Sequence, residues 1–125
     1  MLASTLLLVA GCGGKSVLTP KAVQQEAKGL QSLAAEGDIL AGDAARGRTT
    51  SQFLRVHADE LAKAARASAT TLAAGRTPAA RDVAALAQQL GRDLGRLAKT
   101  SDHAELRRLT SRLARAADRA KKLGS

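Results

Sequence analysis

Two histidines are the side chains of this sequence best suited to bind a metal ion. His57 falls on the apolar stripe of a predicted helix, and His103 stands near the start of a later one. Antiparallel pairing around Gly47 would bring His57 within reach of Glu36 or Asp43. Two imidazoles and a carboxylate can bind zinc. Because a half-buried, hydrogen-bonded histidine is the commoner arrangement, we predict a structural role for His57 and no metal or other cofactor.

Basic side chains recur along the last predicted helix, mostly at spacings of four and three residues that place them on one face. We predict that they contact an anionic membrane surface or an anionic partner. The alternative is a solvated flank, neutralised in part by the pairs Glu105–Arg108 and Asp118–Lys122. The residues are Arg108, Arg112, Arg115, Arg119, Lys121 and Lys122.

The sequence contains no motif of a known enzyme active site. It lacks a glycine-rich phosphate loop after a strand, the Gly-x-Ser-x-Gly turn and the His-Glu-x-x-His zinc motif. A haem attachment motif and the Glu-x-x-His pairs of di-iron bundles are also missing. We therefore expect a protein that is not an enzyme, and the sequence identifies no small-molecule substrate for it.

The only cysteine, Cys12, follows the apolar run Leu8-Val9-Ala10-Gly11. This arrangement resembles the lipobox of bacterial lipoprotein signal peptides, in which an aliphatic residue and two small residues precede the cysteine. The resemblance implies that a diacylglyceryl group is attached to the sulfur of Cys12 and that a peptidase cleaves between Gly11 and Cys12. It also implies a lipid-anchored protein on the extracytoplasmic face of the cell membrane.

This resemblance sets the expected domain plan. Residues 1–11 would be a signal peptide, residues 12–18 a flexible tether attached to the lipid, and residues 19–125 the folded domain. No Lys or Arg precedes the apolar run, so we expect the signal peptide to be truncated or mis-started at Met1. The alternative is a buried N-terminal strand or helix with an inert cysteine in the core.

The composition favours an all-helical domain. The chain has 28 alanines, one aromatic residue (Phe53) and two prolines, and no window alternates apolar and polar residues as a strand does. A single cysteine excludes an internal disulfide. The formal net charge is +9, and residues 76–125 contribute most of it with twelve basic and five acidic side chains.

Capping signals and apolar stripes divide residues 19–125 into four helices. Thr19 and Asp102 are predicted N-caps of the first and last helices, and Glu105 completes a capping pair with Asp102. The repeated tripeptide Gly-Arg-Thr, at 47–49 and 75–77, predicts two short turns with a left-handed glycine and an N-cap threonine. Short turns favour an antiparallel up-down-up-down four-helix bundle. The alternative is a three-helix bundle whose glycine-containing first helix is frayed.

Each predicted helix has a stripe of residues expected to face the core. The four stripes, in chain order, are Val23, Ala27, Leu30, Leu33, Gly37, Leu40 and Ala44; Leu54, His57, Leu61, Ala64, Ala65, Ser68 and Leu72; Val83, Leu86, Leu90, Leu94 and Leu97; and Leu106, Leu109, Leu113, Ala116, Ala120 and Leu123. Ser68 need not interrupt the stripe of the second helix, because its hydroxyl can bond back to a carbonyl one turn earlier.

Three functional hypotheses follow from these features. The first is a lipid-anchored, non-enzymatic interaction module whose partners are the membrane, through the anchor and anionic headgroups, and another envelope protein or an anionic polymer. The second is a cytosolic basic helical protein that binds nucleic acid. The lipobox and the lack of interleaved aromatic residues oppose it, so we expect no nucleic-acid partner. The third is a weak metal-binding bundle that uses His57 and His103.

Overall fold

The computed structural model describes residues 18–125, which form four helices. They are α1 (Pro20–Ala45), α2 (Ser51–Leu72), α3 (Pro78–Leu97) and α4 (His103–Leu123), and no strand occurs within this range. The predicted four-helix architecture is confirmed. The three-helix alternative is wrong, because α1 continues without a break through Gly29, Gly37 and Gly42.

Side-chain caps begin all four helices, and three of them are the predicted residues. The Thr19 hydroxyl accepts from the backbone N–H of Ala22, the Thr77 hydroxyl from that of Ala80, and Asp102 from that of Ala104. The N-cap of α2 is Thr50, which accepts from Phe53 at 3.1 Å, and not the predicted Thr49. Thr49 and Thr50 are adjacent and both suit an N-cap, so the sequence alone did not show which of them begins α2.

The two glycines of the repeated tripeptide have different roles. Gly47 has a φ of +71° and ends α1 in the predicted left-handed conformation. Gly75 does not, since Gly47 is the only glycine with positive φ among residues 18–125. A Cβ atom at Gly75 would overlap the side chain of Ala80 and lie 2.9 Å from Leu18 Cδ2. The small size of Gly75 therefore matters there, and the predicted left-handed conformation was wrong.

The helices pack as two close pairs, α1 with α4 and α2 with α3. The contacts of α1 with α2 and of α3 with α4 are less extensive, and α1 also touches α3 across the middle of the bundle. Small residues permit the close approach. At Gly37, for example, an added Cβ would lie only 2.6 Å from Cδ2 of Leu94 and 3.4 Å from Cδ1 of Leu113.

The core consists almost entirely of leucine, alanine and valine. The predicted stripe of α3 is fully buried, and so are the leucines at 106, 109 and 113 of α4. The stripe of α2 was partly wrong, because Ala64 is exposed whereas Ala58 and Ala62 are buried. The reason is that α2 packs more closely on α3 than on α1, which turns these two alanines inward. In α1, Leu33 is half-buried and Ala34 takes its place in the core.

Both ends of the described chain lie at one end of the bundle. Leu18 contacts the α2–α3 turn at Gly75, and a Cβ at Gly124 would lie 3.4 Å from the side chains of Ala27 and Lys28, which are ~10 Å along α1 from its first residue. We call this the terminal end, and the opposite one, with the α1–α2 turn and the α3–α4 connection, the far end. None of the helices within residues 18–125 has both the length and the apolar character needed to cross a bilayer.

Candidate functional site

Most of the predicted basic face lines a groove between α3 and α4. The groove has a volume of about 590 Å³ and is open to solvent. Its lining contains four cations of α4, two carboxylates and one amide. The charged and amide residues that line it are Gln89, Asp93, Arg112, Arg115, Asp118, Arg119 and Lys122.

Asp93 is the charged residue at the base of this groove and is only 3% exposed. Its Oδ1 accepts a hydrogen bond from Nε2 of Gln89 at 3.1 Å and one from Nε of Arg112 at 3.2 Å. A buried carboxylate without such donors would be strongly unfavourable. Arg112 is therefore a bridge between α4 and α3, and its charge is largely offset by Asp93.

The sequence analysis overlooked Asp93, although the signal for it exists. Asp93 continues the apolar spacing of α3 from Leu86 and Leu90 towards Leu97, so a charge falls on an inward-facing stripe. A carboxylate in that position needs a partner from another helix. The sequence could have indicated that need, but it could not have identified Arg112 as the partner.

The remaining predicted cations lie apart from this groove. Arg108 lies towards the far end and lines a shallow hollow on α4 together with Arg107 and Ser111. Lys121 is exposed in the last turn of α4 and is not part of the groove lining. Arg112 and Arg115 line both this hollow and the groove, so the predicted face is continuous along α4 from Arg108 to Lys122, and only Lys121 lies outside both linings.

The predicted ion pairs of α4 are wrong. Among residues 18–125 neither Glu105–Arg108 nor Asp118–Lys122 forms, and Glu105 instead lies 3.7 Å from Nε of Arg96 in α3. The Thr100 hydroxyl donates to Glu105 at 3.1 Å and accepts from the backbone N–H of Asp102 at 3.2 Å. Glu105 thus ties the start of α4 to α3 and to the connection between them, and does not cap its own helix.

The terminal end carries a further cation that the sequence did not associate with the basic face. Arg76 is exposed in the α2–α3 turn, which lies beside Leu18. The last turn of α4 adds Lys121 and Lys122, both exposed. These residues are far apart in sequence, so only the topology of the bundle brings them to one end.

His57 is half-buried between α1 and α2. Its Nε2 lies 3.1 Å from Oε2 of Glu36, and its ring stacks on Phe53 with 5.3 Å between the ring centroids. His103 is exposed at the first position of α4. Within residues 18–125, no three His, Cys, Asp or Glu side chains are close enough together to hold a metal ion. The predicted lipidation site, Cys12, and the cleavage position at Gly11 lie outside the described residues.

A second polar contact joins α1 to α2. The Ser68 hydroxyl donates to Oε1 of Glu26 across the two helices at 2.6 Å. Ser68 therefore bonds to α1 and not back to a carbonyl of its own helix, because a stronger acceptor lies within reach. Glu26 is half-buried at the edge of the apolar stripe of α1.

Comparison with known proteins gives no relative for this chain, since no family model, curated protein or solved structure matches it significantly.

Proposed function

We propose that this protein is a lipid-anchored helical interaction module, without enzymatic activity, on the outer face of a bacterial cell membrane. Anchoring would occur through a diacylglyceryl group on Cys12. The domain would then contact anionic headgroups with the basic terminal end of its bundle. The observation that carries the proposal is the position of Leu18 and the C-terminal turn of α4 at the same end.

A short tether links the proposed anchor to this end. Seven residues, 13–19, separate Cys12 from the first helix, and such a segment spans at most ~25 Å when extended. The terminal end would therefore stay close to the headgroups. Its exposed cations, Arg76, Arg119, Lys121 and Lys122, would each add up to ~1 kcal/mol of attraction to an anionic surface. Salt would screen this attraction over roughly 8–10 Å.

The composition of this surface argues against nucleic acid as the partner. Single-stranded nucleic acids are held by stacking on aromatic side chains, but the only aromatic ring of the chain, Phe53, stacks on His57. Phe53 lies in the first turn of α2, which places it towards the far end. Contact with headgroups requires only cations, which is what the terminal end offers.

The anchor is tested by intact-mass analysis of the protein isolated from bacterial membranes. We expect a mature chain that begins at Cys12 and carries the added mass of lipid, and a Cys12→Ser variant that stays unprocessed. An unmodified wild-type protein that retains residues 1–11 would refute the lipid anchor.

The headgroup contact is tested separately with an unlipidated chain of residues 12–125 that carries Cys12→Ser and lacks the apolar residues 1–11. We expect weak, salt-sensitive binding to vesicles that contain anionic lipid, and none to neutral vesicles. Changing Arg115, Arg119, Lys121 and Lys122 together to Gln, termed here the α4 variant, should abolish this binding while the helical circular dichroism spectrum is unchanged. Equal binding to neutral vesicles, or full binding by the α4 variant, would leave these residues as a solvated flank.

A further inference from the structure

A second groove, between α2 and α3, has no acidic residue in its lining. It has a volume of about 510 Å³. Its cations come from α2, from α3 and from the residue that follows α3 by two positions. They are Arg66, Arg92, Arg96 and Lys99, and we call this set the α2–α3 cationic groove.

Two glycines of α3 form the floor of this groove. A Cβ at Gly91 would lie 3.2 Å from Cγ of Arg66, and a Cβ at Gly95 would lie 3.2 Å from its Nη2. The side chain of Arg66 therefore runs from α2 across the surface of α3, in the space that these glycines leave open. This position brings the guanidinium of Arg66 towards the other three cations that line the groove.

These charges are poorly neutralised by the protein. Among residues 18–125, no carboxylate oxygen lies within 4 Å of the charged nitrogens of Arg66, Arg92 or Lys99. Arg92 donates to the amide oxygen of Gln89, which is uncharged. Arg96 has a distant pair with Glu105 at 3.7 Å, and its side chain is 62% exposed. Four cations in one groove thus face a single carboxylate that lies outside it.

We propose that the α2–α3 cationic groove binds an oligophosphate chain. Positions 92 and 96 are ~6 Å apart along α3, Lys99 follows just beyond the end of the helix, and Arg66 adds a fourth cation from the opposite wall. In a linear polyphosphate, neighbouring phosphate groups share one bridging oxygen, so a short run of groups would extend over that length and meet all of these cations. Three of the four cations are arginines, whose planar guanidinium binds phosphate oxygens through paired hydrogen bonds.

The location of the groove separates this proposal from headgroup binding. Arg96 and Lys99 lie at the C-terminal end of α3, hence towards the far end, whereas the proposed membrane contact uses the terminal end. No aromatic side chain lines the groove, so it offers phosphates a charged path but offers nucleobases no stacking surface. The inference does not depend on the lipid anchor.

The purely structural interpretation is that these side chains cover the α2–α3 interface and complement the helix dipole at the end of α3. That interpretation predicts a loss of stability and no selective loss of binding when the charges are removed. The oligophosphate proposal predicts the reverse. Titration calorimetry with the full-length Cys12→Ser chain at 150 mM salt distinguishes the two, with tripolyphosphate as the ligand and orthophosphate as the single-phosphate control.

We expect tripolyphosphate to bind at least tenfold more tightly than orthophosphate. Changing Arg66, Arg92, Arg96 and Lys99 together to Gln should weaken tripolyphosphate binding at least tenfold. The α4 variant loses the same number of charges and is the matched control, for which we expect a change below threefold. Because the fourfold change could affect folding, Arg66→Gln alone provides a second variant, with an expected loss of about threefold and an unchanged helical spectrum.

Equal weakening in the two fourfold variants would overturn the proposal, because binding would then follow net charge and not the groove. Equal affinity for orthophosphate would also overturn it. Tighter binding of single-stranded DNA than of a polyphosphate with the same number of phosphates would show that nucleobases are recognised, and would replace oligophosphate with nucleic acid. None of these outcomes affects the vesicle experiment, so the two proposals fail independently.

Discussion

The two grooves beside α3 present arginine in opposite ways. On the α4 side, Arg112 meets the carboxylate of Asp93, which is 3% exposed and also bonded to Gln89. On the α2 side, Arg66 meets Gly91 and Gly95, which offer space and no charge. One arginine bridges two helices, whereas the other lies along a helix surface with its charge uncompensated.

The difference shows that a cation on a helix face is not by itself a binding residue. Whether such a cation can bind a ligand depends on the neighbouring helix, which presents a carboxylate in one groove and two glycines in the other. A buried carboxylate requires its partner, because water cannot solvate it. An arginine that lies over glycine has no charged partner within the protein, so its guanidinium is left to interact with solvent or with an anion from solution. The variants below test this contrast.

The largest effect should come from the core beneath the first groove. Leu113, next to Arg112, is fully buried and packs against Gly37 of α1. We expect Leu113→Ala to lower the free energy of unfolding by ~2–5 kcal/mol, because it leaves a cavity. Urea denaturation followed by circular dichroism measures this, with exposed Ser111→Ala as the control, expected within ~0.5 kcal/mol. A loss below ~0.5 kcal/mol for Leu113→Ala would mean that packing does not hold α4 in place.

The second test compares the two arginine environments directly. Asp93→Ala should cost ~1–3 kcal/mol of stability, since it removes the acceptor of two hydrogen bonds at a buried position. Arg66→Ala should cost no more than ~0.5 kcal/mol, as expected for a solvated side chain. Denaturation curves of the two variants under the same conditions give the comparison. Equal costs would remove the distinction between the two grooves.

The double variant Asp93→Leu with Arg112→Leu sharpens this result. Replacing both members of a buried pair with apolar residues is often neutral or stabilising. We expect it to recover most of the stability lost in Asp93→Ala. Failure to recover would indicate that the bridge also fixes the relative position of α3 and α4.

The third test concerns the floor of the second groove. Gly95→Ala should raise stability by up to ~1 kcal/mol through helix propensity, because the Cβ would meet only the flexible end of Arg66. The same Cβ should displace the guanidinium of Arg66 and weaken tripolyphosphate binding.

Gly29→Ala is the matched control, since a Cβ at position 29 would meet no atom within 4 Å. It should give a similar gain in stability with unchanged affinity, as measured by denaturation and calorimetry. A loss of affinity in both variants would contradict the role of Gly95.

The smallest effect should come from Asp38 of α1, a half-buried carboxylate whose environment differs from that of Asp93. Burial raises the pKa of Asp38 above its ordinary value of 3.8, and the charge of nearby Arg46 partly opposes this. Ionised Asp38 therefore opposes folding at neutral pH. We expect Asp38→Asn to be slightly more stable than the parent at pH 7. The difference should vanish as the pH falls through the raised pKa towards 3.8. Denaturation at several pH values would detect it, and a difference independent of pH would contradict this assignment.

Much of the fold could be predicted from the sequence because its signals are local. Leucines at spacings of three and four defined α3 and α4, and Thr19, Thr77 and Asp102 marked three helix starts. The lipobox resemblance at Cys12 is also local, and it stays a prediction. Errors arose where local signals were equivalent, as with adjacent threonines 49 and 50. They also arose where alanines could face either way, as at Ala58 and Ala64 of α2.

The sequence by itself determined that this chain forms helices, where three of the four begin and how charge is distributed along them. Only the tertiary structure decided which charges are available. It placed Asp93 opposite Arg112, laid Arg66 over two glycines, and brought Arg76 to the same end as the last turn of α4. The physical reason is that helix formation depends on neighbours three or four residues away. The free energy of a charge depends instead on burial and on partners contributed by other helices.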